Sequence, residues 1–385
     1  MTWMYTLTML VKQRVLVSSF LERTDVFKTL ISVCQIASPT FHEQKKIRFL
    51  ANQLVSLGLQ DVKIDEAGNC LGRIINDPKQ KKFVLISAHA DTACVAPLPI
   101  TVTEKNGFLF AHGICDNSAG VTGVLTFLRF LKGTGIRLKH NYLIAFTVQE
   151  EALGAKRGMK HVMKKYKKSV RYVVNVESHD IGRVTTECVG QFRAKLTLKA
   201  KQKGAHSWRN FGEPNSVVIL AKAISDFSKS PVPPKSTYNF AAIKGGEGIN
   251  AIPSDASCLF ECRSSSQESI GVLVKRLNVS MGKYANAKVK IQLEVLATTE
   301  GASMDRRHPI SVITQEVHTF LKIKSYFKSG NSDGDVPLSL GIPTITLGTG
   351  VGFATHSLEE KLEKKSFKKG IEQIMLVLLA LDERC

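Results

Sequence analysis

A histidine and an aspartate stand two residues apart at the end of an apolar run. The segment "KKFVLIS" is typical of a buried strand, and "AHADT", which contains His89 and Asp91, follows it directly. Ionisable side chains are rarely buried without a partner. The two groups either pair with each other or face a cation, and this motif alone favours neither interpretation.

Four further segments place acids or a histidine after an apolar stretch. They are "HGICDNSAG" with Asp116, "FTVQEEALGA" with Glu150 and Glu151, "VVNVESHD" with Glu177, and "GVGFATHSLEE" with His356. Ligand sites of open α/β sheets lie beyond the carboxyl ends of the strands, so these groups can converge. Carboxylates crowded into one crevice repel one another unless cations lie among them. Two imidazoles with three carboxylates are a ligand set typical of zinc or a similar divalent ion.

Each motif also has an ordinary structural explanation. A Glu-Glu doublet is usually solvated, Asp116 could cap a helix that begins at Ala119, and a lone histidine such as His356 is more often hydrogen-bonded within the fold. Cys115 is expected to pack, because the acids and histidines already supply enough ligands. The metal hypothesis therefore depends on the shared position of these groups at strand ends.

The elements that must position these groups alternate in type through the first half of the chain. Helical spacing of apolar residues occurs in 26–36, 43–59 and 119–135, and strand-like runs occupy 83–90, 141–149 and 171–177. Alternating helices and strands predict an α/β sheet that is covered on both faces.

The pattern changes near Gly190 and changes back after Gly301. Between them the order is strand 191–202, helix 215–229, strands 236–246 and 255–265, helix 267–285 and strand 287–297. The sequence therefore predicts a discontinuous catalytic domain of residues 1–189 and 302–385, built on a mixed sheet. An α+β (ferredoxin-like) domain, residues 190–301, is inserted into it.

The formal net charge of +20 is the one extreme bulk property. The lysines lie in short clusters without interleaved aromatic residues, so we expect a solvated basic surface and no specific nucleic-acid partner. No stretch approaches the roughly 20 apolar residues that cross a bilayer, which predicts no membrane association.

The first residues are apolar but are not expected to be a signal peptide, because they lack a basic leader and are interrupted by Lys12 and Arg14. The eight cysteines contain no C-x-x-C pair. That pattern predicts reduced thiols and a cytoplasmic location.

In order and content these motifs resemble a family of di-zinc peptidases and deacylases. The family includes peptidase T, glutamate carboxypeptidase, acetylornithine deacetylase and succinyl-diaminopimelate desuccinylase. The likeness extends from "SPTFHEQKKIRFLANQL" to the last helix and includes "GAHSWRNFGEPNSV", "GGEGINAIPSDA" and "ECRS" in the insertion. The segment after Gly204 is most similar to a peptidase T-like branch. The resemblance implies a zinc-peptidase catalytic domain with a lid and dimerisation domain.

The resemblance also implies a set of metal ligands for two divalent ions, which we expect to be zinc, with cobalt or manganese as alternatives. Asp116 would bridge the two ions. His89 and Glu177 would complete one shell, and Glu151 and His356 the other.

Two acids near these ligands have other implied roles. Asp91 would hydrogen-bond the far imidazole nitrogen of His89 and so fix its tautomer. Glu150 would be the general base that activates the attacking water. Asp333 is expected to support the loop of His356 rather than to bind metal.

Residues of the inserted domain would recognise substrate. His206 would stabilise the oxyanion in the active site of a partner subunit of a homodimer, and Asn250 and Arg263 would hold a substrate carboxylate. A surface loop residue and a turn residue are the plain alternatives for His206 and Asn250. Gly348 and Gly350 would offer backbone N–H groups to substrate, although a turn explains them equally well.

The predicted function is hydrolysis of the amide bond of a short peptide, as a di- or tripeptidase. An N-acyl-amino-acid deacylase is the alternative within the same chemistry. A catalytically silent peptide-binding homologue is the alternative from another class, but such a protein would be expected to lack a ligand or the base.

Overall fold

The computed structural model describes residues 3–93, 99–177, 180–202 and 204–385. They form two compact units, one from the described residues of Met1–Thr186 and Met304–Cys385 and the other from those of Glu187–Ser303. The predicted domain boundaries, at 189/190 and 301/302, stay a prediction about independent folding.

The helices are α1 (Trp3–Glu22), α2 (Val26–Cys34), α3 (Gln44–Ser56), α4 (Ser118–Thr134), α5 (Arg157–Tyr166), α6 (Ser216–Ser228), α7 (Gln267–Gly282), α8 (Pro309–Phe320), α9 (Asp335–Ser339) and α10 (Lys364–Arg384). The strands are β1 (Gln60–Ile64), β2 (Cys70–Ile74), β3 (Phe83–His89), β4 (Thr103–Lys105), β5 (Phe108–Phe110), β6 (Asn141–Thr147), β7 (Val170–Glu177), β8 (Arg183–Thr185), β9 (Glu187–Cys188), β10 (Gly190–Ala200), β11 (Ser236–Gly245), β12 (Asp255–Ser264), β13 (Val289–Thr299), β14 (Ala302–Ser303), β15 (Tyr326–Phe327), β16 (Thr344–Gly348), β17 (Gly352–Phe353) and β18 (Lys361–Glu363).

The first unit is organised around a mixed eight-stranded sheet in the order β1-β2-β6-β3-β7-β16-β8-β15. The pairs β3–β6, β3–β7 and β7–β16 are parallel, whereas β2 pairs with β6 in the antiparallel direction. Every residue of β6 is buried, as expected of a strand covered on both faces. The carboxyl ends of β3, β6, β7 and β16 therefore meet at one edge of the sheet.

Helices cover both faces of this sheet, which confirms the predicted α/β class. On one face α4 is almost wholly buried; the Asn117 side chain caps its start by accepting from the N–H of Gly120, and Gly135, with φ 68°, ends it. On the other face α5 packs Met159, Val162 and Met163 against Leu71, Leu85 and Leu143.

The apolar N-terminal segment forms helix α1, which lies against α10 and α8. Leu10, Val17 and Leu21 are buried in the main core, and the Arg14 Nε atom lies 2.8 Å from a carboxylate oxygen of Glu372. Among the described residues, no helix has the length and apolarity needed to span a bilayer.

The second unit contains a four-stranded antiparallel sheet in the order β11-β12-β10-β13. Along the chain its elements follow the predicted β-α-β-β-α-β order, with α6 and α7 packed on the sheet. Residues on β12 alternate between buried and less buried positions. The Phe227 ring of α6 contacts Tyr238, Phe240 and Phe260 edge-on. The ferredoxin-like α+β fold is thus confirmed.

The cysteine residues Cys34, Cys70, Cys258, Cys262 and Cys385 are thiols, as the sequence predicted. Cys94 lies outside the described residues. Burial raises the pKa of Cys34 and Cys70 to about 12, so these thiols are neutral packing groups.

His318 on α8 supplies a prediction about acid stability. The imidazole is fully buried, its Nδ1 atom lies 2.8 Å from the Ser325 hydroxyl, and burial lowers its pKa to about 4. Between about pH 6.5 and 4 the unfolded chain binds a proton that the folded chain excludes, so acidification reduces the free energy of unfolding by roughly 2–3 kcal/mol. In His318→Asn this loss should disappear, so the variant's free energy of unfolding falls less over that range. Urea titrations in chelator between pH 4.5 and 7 measure the difference, and parallel pH curves would contradict the prediction.

Candidate metal centre

The predicted site residues of the first unit converge at the carboxyl edge of the sheet. His89 is the last residue of β3 and Glu177 the last residue of β7, and both are buried. Asp116 lies two residues before the first residue of α4, and its peptide bond to Asn117 is cis. Residues separated widely in sequence therefore lie together because parallel strands end at the same edge.

Asp116 lies between two imidazoles. Its Oδ1 atom is 3.0 Å from Nε2 of His89, and its Oδ2 atom is 3.2 Å from Nε2 of His356. Glu177 Oε2 lies 3.5 Å from the His89 nitrogen, and Glu151 Oε1 lies 3.1 Å from the His356 nitrogen. One carboxylate is thus shared by two histidine–glutamate pairs.

The side-chain nitrogen and oxygen atoms that could bind a metal ion lie close enough together to hold cations. Those of His89, Asp116 and Glu177 lie within 4.8 Å of one another, as do those of Asp116, Glu151 and His356. Nitrogen and oxygen donors of this kind suit zinc, cobalt and manganese. The sharing of Asp116 between the two sets is what a bridging carboxylate requires.

Electrostatics in this cluster favour positive charge. Burial alone would lower the pKa of His89, but the carboxylates of Glu177, Asp116 and Asp91 raise it well above its usual value. Hydrogen bonds to Asp116 and Glu151 raise the pKa of His356 to about 10, although half of that side chain is exposed. The same carboxylates would also attract a divalent cation.

Asp91 is fully buried and supports more than His89. Its carbonyl oxygen lies 3.1 Å from Nδ1 of His89, nearer than its carboxylate, which lies 3.4 Å away. The carboxylate also accepts the backbone N–H groups of Glu150 and Glu151, each at 3.1 Å, and the Thr40 hydroxyl at 2.9 Å. Asp91 therefore joins the end of β3 to the Glu150–Glu151 segment.

The Glu150–Glu151 segment is held in an unusual backbone conformation. Gln149 before it and Ala155 after it have φ values of 57° and 52°, which non-glycine residues rarely adopt. Glu151 is buried beside His356. Glu150 is half-buried, and its carboxylate lies within 4.8 Å of possible ligand atoms of His89 and Glu151. Burial, with the nearby acids, raises the pKa of Glu150 well above its usual value despite the opposing effect of His89.

Asp333 does not have the contact that we expected. Instead of a bond to the loop of His356, its carboxylate accepts a hydrogen bond from the Thr147 hydroxyl at the end of β6. Burial raises the pKa of Asp333 to about 7. The acid is instead close enough to His89 and Glu177 for their charges to act on its pKa.

The glycines ahead of His356 have structural reasons to be present. Gly348 ends β16 beside Glu177, and its carbonyl accepts from the Gln373 side chain at 2.9 Å. A Cβ atom on Gly350 would lie 2.9 Å from the Leu362 side chain and 3.3 Å from the Phe367 backbone. Their contact with substrate stays a prediction.

The predicted recognition residues belong to the second unit and are exposed. His206 lies in a turn where its Nδ1 atom accepts from the N–H of Trp208 at 3.1 Å, and the carbonyl of Asn250 accepts from Ser207 at 2.9 Å. The Arg263 guanidinium on β12 donates to Glu261 at 2.8 Å. Their roles stay predictions.

Thr40 and Glu360 are site residues that the sequence did not reveal. Thr40 precedes α3 in "SPTFHEQ" and reaches Asp91. Glu360 follows His356 by four residues and accepts the backbone N–H groups of the loop that carries Asp116. The signal for Glu360 was an acid in "HSLEE", which we would ordinarily interpret as solvated.

Comparisons with known proteins agree with this geometry. Carboxypeptidase G2 of Pseudomonas sp. strain RS-16 is 24% identical over 289 residues, which cover 70% of this chain and 68% of that protein. The structure of aminopeptidase PepT from Bacillus cereus matches with a TM-score of 0.78 at 19% identity, covering 93% of this chain and 98% of that one. A tripeptidase from Staphylococcus aureus matches with a TM-score of 0.76 at 21% identity, covering 94% and 98%. At such identities the structural likeness shows the shared fold.

The family comparison extends over most of the chain. The model of peptidase family M20/M25/M40 matches residues 85–380, a range that includes all the candidate ligands described above. The chain therefore belongs to peptidase family M20/M25/M40 and is a metallopeptidase-type hydrolase of amide bonds.

Proposed function

We propose that the protein is a di-metal peptidase that cleaves short peptides, as a di- or tripeptidase. The observation that carries the proposal is the position of Asp116, whose two oxygens are divided between the His89–Glu177 and His356–Glu151 pairs. These five residues would hold the two ions, for which zinc is our first expectation. The likeness to an aminopeptidase and to a tripeptidase supports peptides as substrates.

In this proposal Glu150 moves the proton. When bound, the two ions would supply Lewis acidity to the attacking water and to the scissile carbonyl. Burial holds the pKa of Glu150 above its usual value, so its carboxylate is basic enough to accept the proton of the water and to pass it to the leaving amine nitrogen. Asp91 keeps Glu150 in position through the backbone N–H group of that residue.

Recognition of the peptide is assigned to the second unit. We propose that His206 of a partner subunit in a homodimer stabilises the oxyanion and that Asn250 and Arg263 bind the peptide carboxylate. The exposure of all three side chains leaves them accessible, and the bond to Glu261 restrains the planar donor fork of Arg263. Dimerisation and the cytoplasmic location stay predictions.

Replacing Glu150 with glutamine tests the proton-transfer role. Glu150→Gln should keep its metal content and its affinity for peptide, while kcat falls by about 10²–10⁴, because the amide cannot take the proton. Metal analysis and steady-state kinetics measure both, and Glu268→Gln, which changes an exposed acid of α7, is the control. Full activity in Glu150→Gln would exclude this residue as the base.

A substrate panel tests the reaction itself. Free di- and tripeptides should be hydrolysed, N-acetyl and N-succinyl amino acids should not, and chelation should abolish turnover until zinc, cobalt or manganese is restored. Cleavage of acylated amino acids alone would assign the protein as a deacylase. Binding without turnover of any compound would identify a silent homologue.

Asp91→Asn tests the support of the Glu150–Glu151 segment. The NH2 group of asparagine would face backbone N–H groups or the Thr40 hydroxyl, which now donate to the carboxylate. The Glu150–Glu151 segment should therefore shift, and metal affinity should fall by about 10- to 100-fold. Competition with a chromophoric chelator measures this affinity. Thr40→Val removes only one of the contacts and should have a smaller effect; equal affinities of wild type and Asp91→Asn would refute the assignment.

A further inference from the structure

Two charged side chains that the proposed mechanism does not use are fully buried in the first unit. Lys46, in the first turn of α3, is 2% exposed, and Glu360, in the segment after His356, is 1% exposed. Burial of a charge costs several kcal/mol unless opposite charge or hydrogen bonds offset it. Each of these residues therefore requires partners in the interior.

Glu360 finds its partners in one loop. Its Oε1 atom accepts the backbone N–H groups of Cys115 and Asp116, each at 2.7 Å, and its Oε2 atom accepts that of Gly113 at 3.0 Å. The Glu360 carbonyl also accepts the N–H group of Ala111 at 3.2 Å. One carboxylate thus fixes the backbone on which Asp116 is carried and joins it to the segment of His356.

Lys46 supplies positive charge to the same region. Burial lowers its pKa to about 8, and the carboxylates of Asp91 and Glu360 act in the opposite direction, so the side chain is a cation at neutral pH. Cys34, which also faces Lys46, offers no negative charge because burial raises the pKa of its thiol to about 12. Burial also raises the pKa of Glu360 to about 7, but its three backbone N–H partners favour the ionised form, so Asp91 and Glu360 supply the negative charge that acts on Lys46.

Asp91 and Glu360 have parallel tasks. Asp91 accepts the backbone N–H groups of Glu150 and Glu151, and Glu360 accepts that of Asp116. Neither acid belongs to the donor groups around the candidate ions. The backbone of the base and of two proposed ligands thus depends on two buried carboxylates that share one lysine.

We propose that Glu360 is a positioning residue of the metal centre because it sets the Asp116 loop, and that Lys46, buried in the same unit, is the counter-charge of Glu360 and Asp91. The inference rests on the proposed di-metal function. It implies that the ligands are arranged for the ions in advance, so that binding does not have to order the loop.

Glu360→Gln and Lys46→Met test the two residues. The glutamine amide replaces one of two acceptor oxygens with a donor, so it cannot serve all three N–H groups, and methionine keeps an apolar stem without the charge. Asp382→Asn is the matched control, because Asp382 is a buried carboxylate that accepts the backbone N–H groups of Lys139 and His140. Each protein is measured for zinc affinity by chelator competition, for the visible absorption spectrum of its cobalt form, and for unfolding in chelator.

Both test variants should bind zinc about 10- to 100-fold more weakly than wild type, with an altered cobalt spectrum. The double variant should lose less affinity than the product of the single losses, because Lys46 acts in part through Glu360. Asp382→Asn should be less stable but should keep its zinc affinity within about twofold, since ordinary destabilisation does not move the ligands.

The inference is overturned if the test variants keep the zinc affinity and cobalt spectrum of the wild type while losing stability as the control does. Glu360 and Lys46 would then contribute to folding only. Multiplicative losses in the double variant would remove Lys46 from the assignment. If either variant does not fold, Glu360→Asp and Lys46→Arg replace them: weak zinc binding by the shortened acid and near wild-type binding by arginine are expected, and the reverse result overturns the inference. A wild-type protein that binds no zinc or cobalt would instead refute the proposed function.

Discussion

The crowding of carboxylates in a buried crevice is the constraint on which the rest of this structure depends. Asp116, Glu151 and Glu177 lie within a few ångströms of two imidazoles, and Glu150 is next to them. In water such acids would separate, but strand ends and short loops hold them together. The electrostatic field that results raises the pKa of His89 even against burial, and it raises that of His356 to about 10. A region of this kind is stable only with positive charge inside it, and two divalent ions supply more of it than two imidazolium groups.

The fold answers this constraint by giving different acids different tasks. One group points its oxygens at the imidazoles and forms the candidate ligand set. The carboxylates of Asp91 and Glu360 instead accept hydrogen bonds from backbone N–H groups and so fix the loops from which the ligands project. Backbone amides compensate an anion without adding a mobile cation that could compete with the proposed metal ions. The positive φ angles at Gln149 and His356 fit the same account, since a ligand loop held by such contacts can retain a conformation that its own sequence disfavours.

Much of the fold and of the ligand set could be predicted because both are marked by patterns within short segments of the sequence. Apolar periodicity marks α4, β3, β6 and β7, and the family motifs lie at the carboxyl ends of those strands and just before that helix. Helix α1 was not predicted, because its exposed face also carries apolar residues such as Val11 and Val15, which blurs the helical period. Glu360 and Lys46 escaped notice for a related reason: an acid in a Glu-Glu doublet and a lysine in "EQKK" are usually solvated. Only tertiary packing buries them, and no spacing within one segment records that.

The residues proposed for recognition pose a different problem from those of the metal centre. Burial and charge constrain His89 or Asp116 so strongly that chemistry alone narrows their roles. His206, Asn250 and Arg263 are exposed, and their assignment comes from resemblance rather than from the physics of their surroundings. Arg263 is an instructive case, because Glu261 also receives a hydrogen bond from Arg193 on the neighbouring strand, at 3.0 Å. Both arginines donate their Nε–H groups to the same oxygen of this carboxylate. Under the proposed role of Arg263, a free peptide carboxylate would be the kind of group that its planar guanidinium binds.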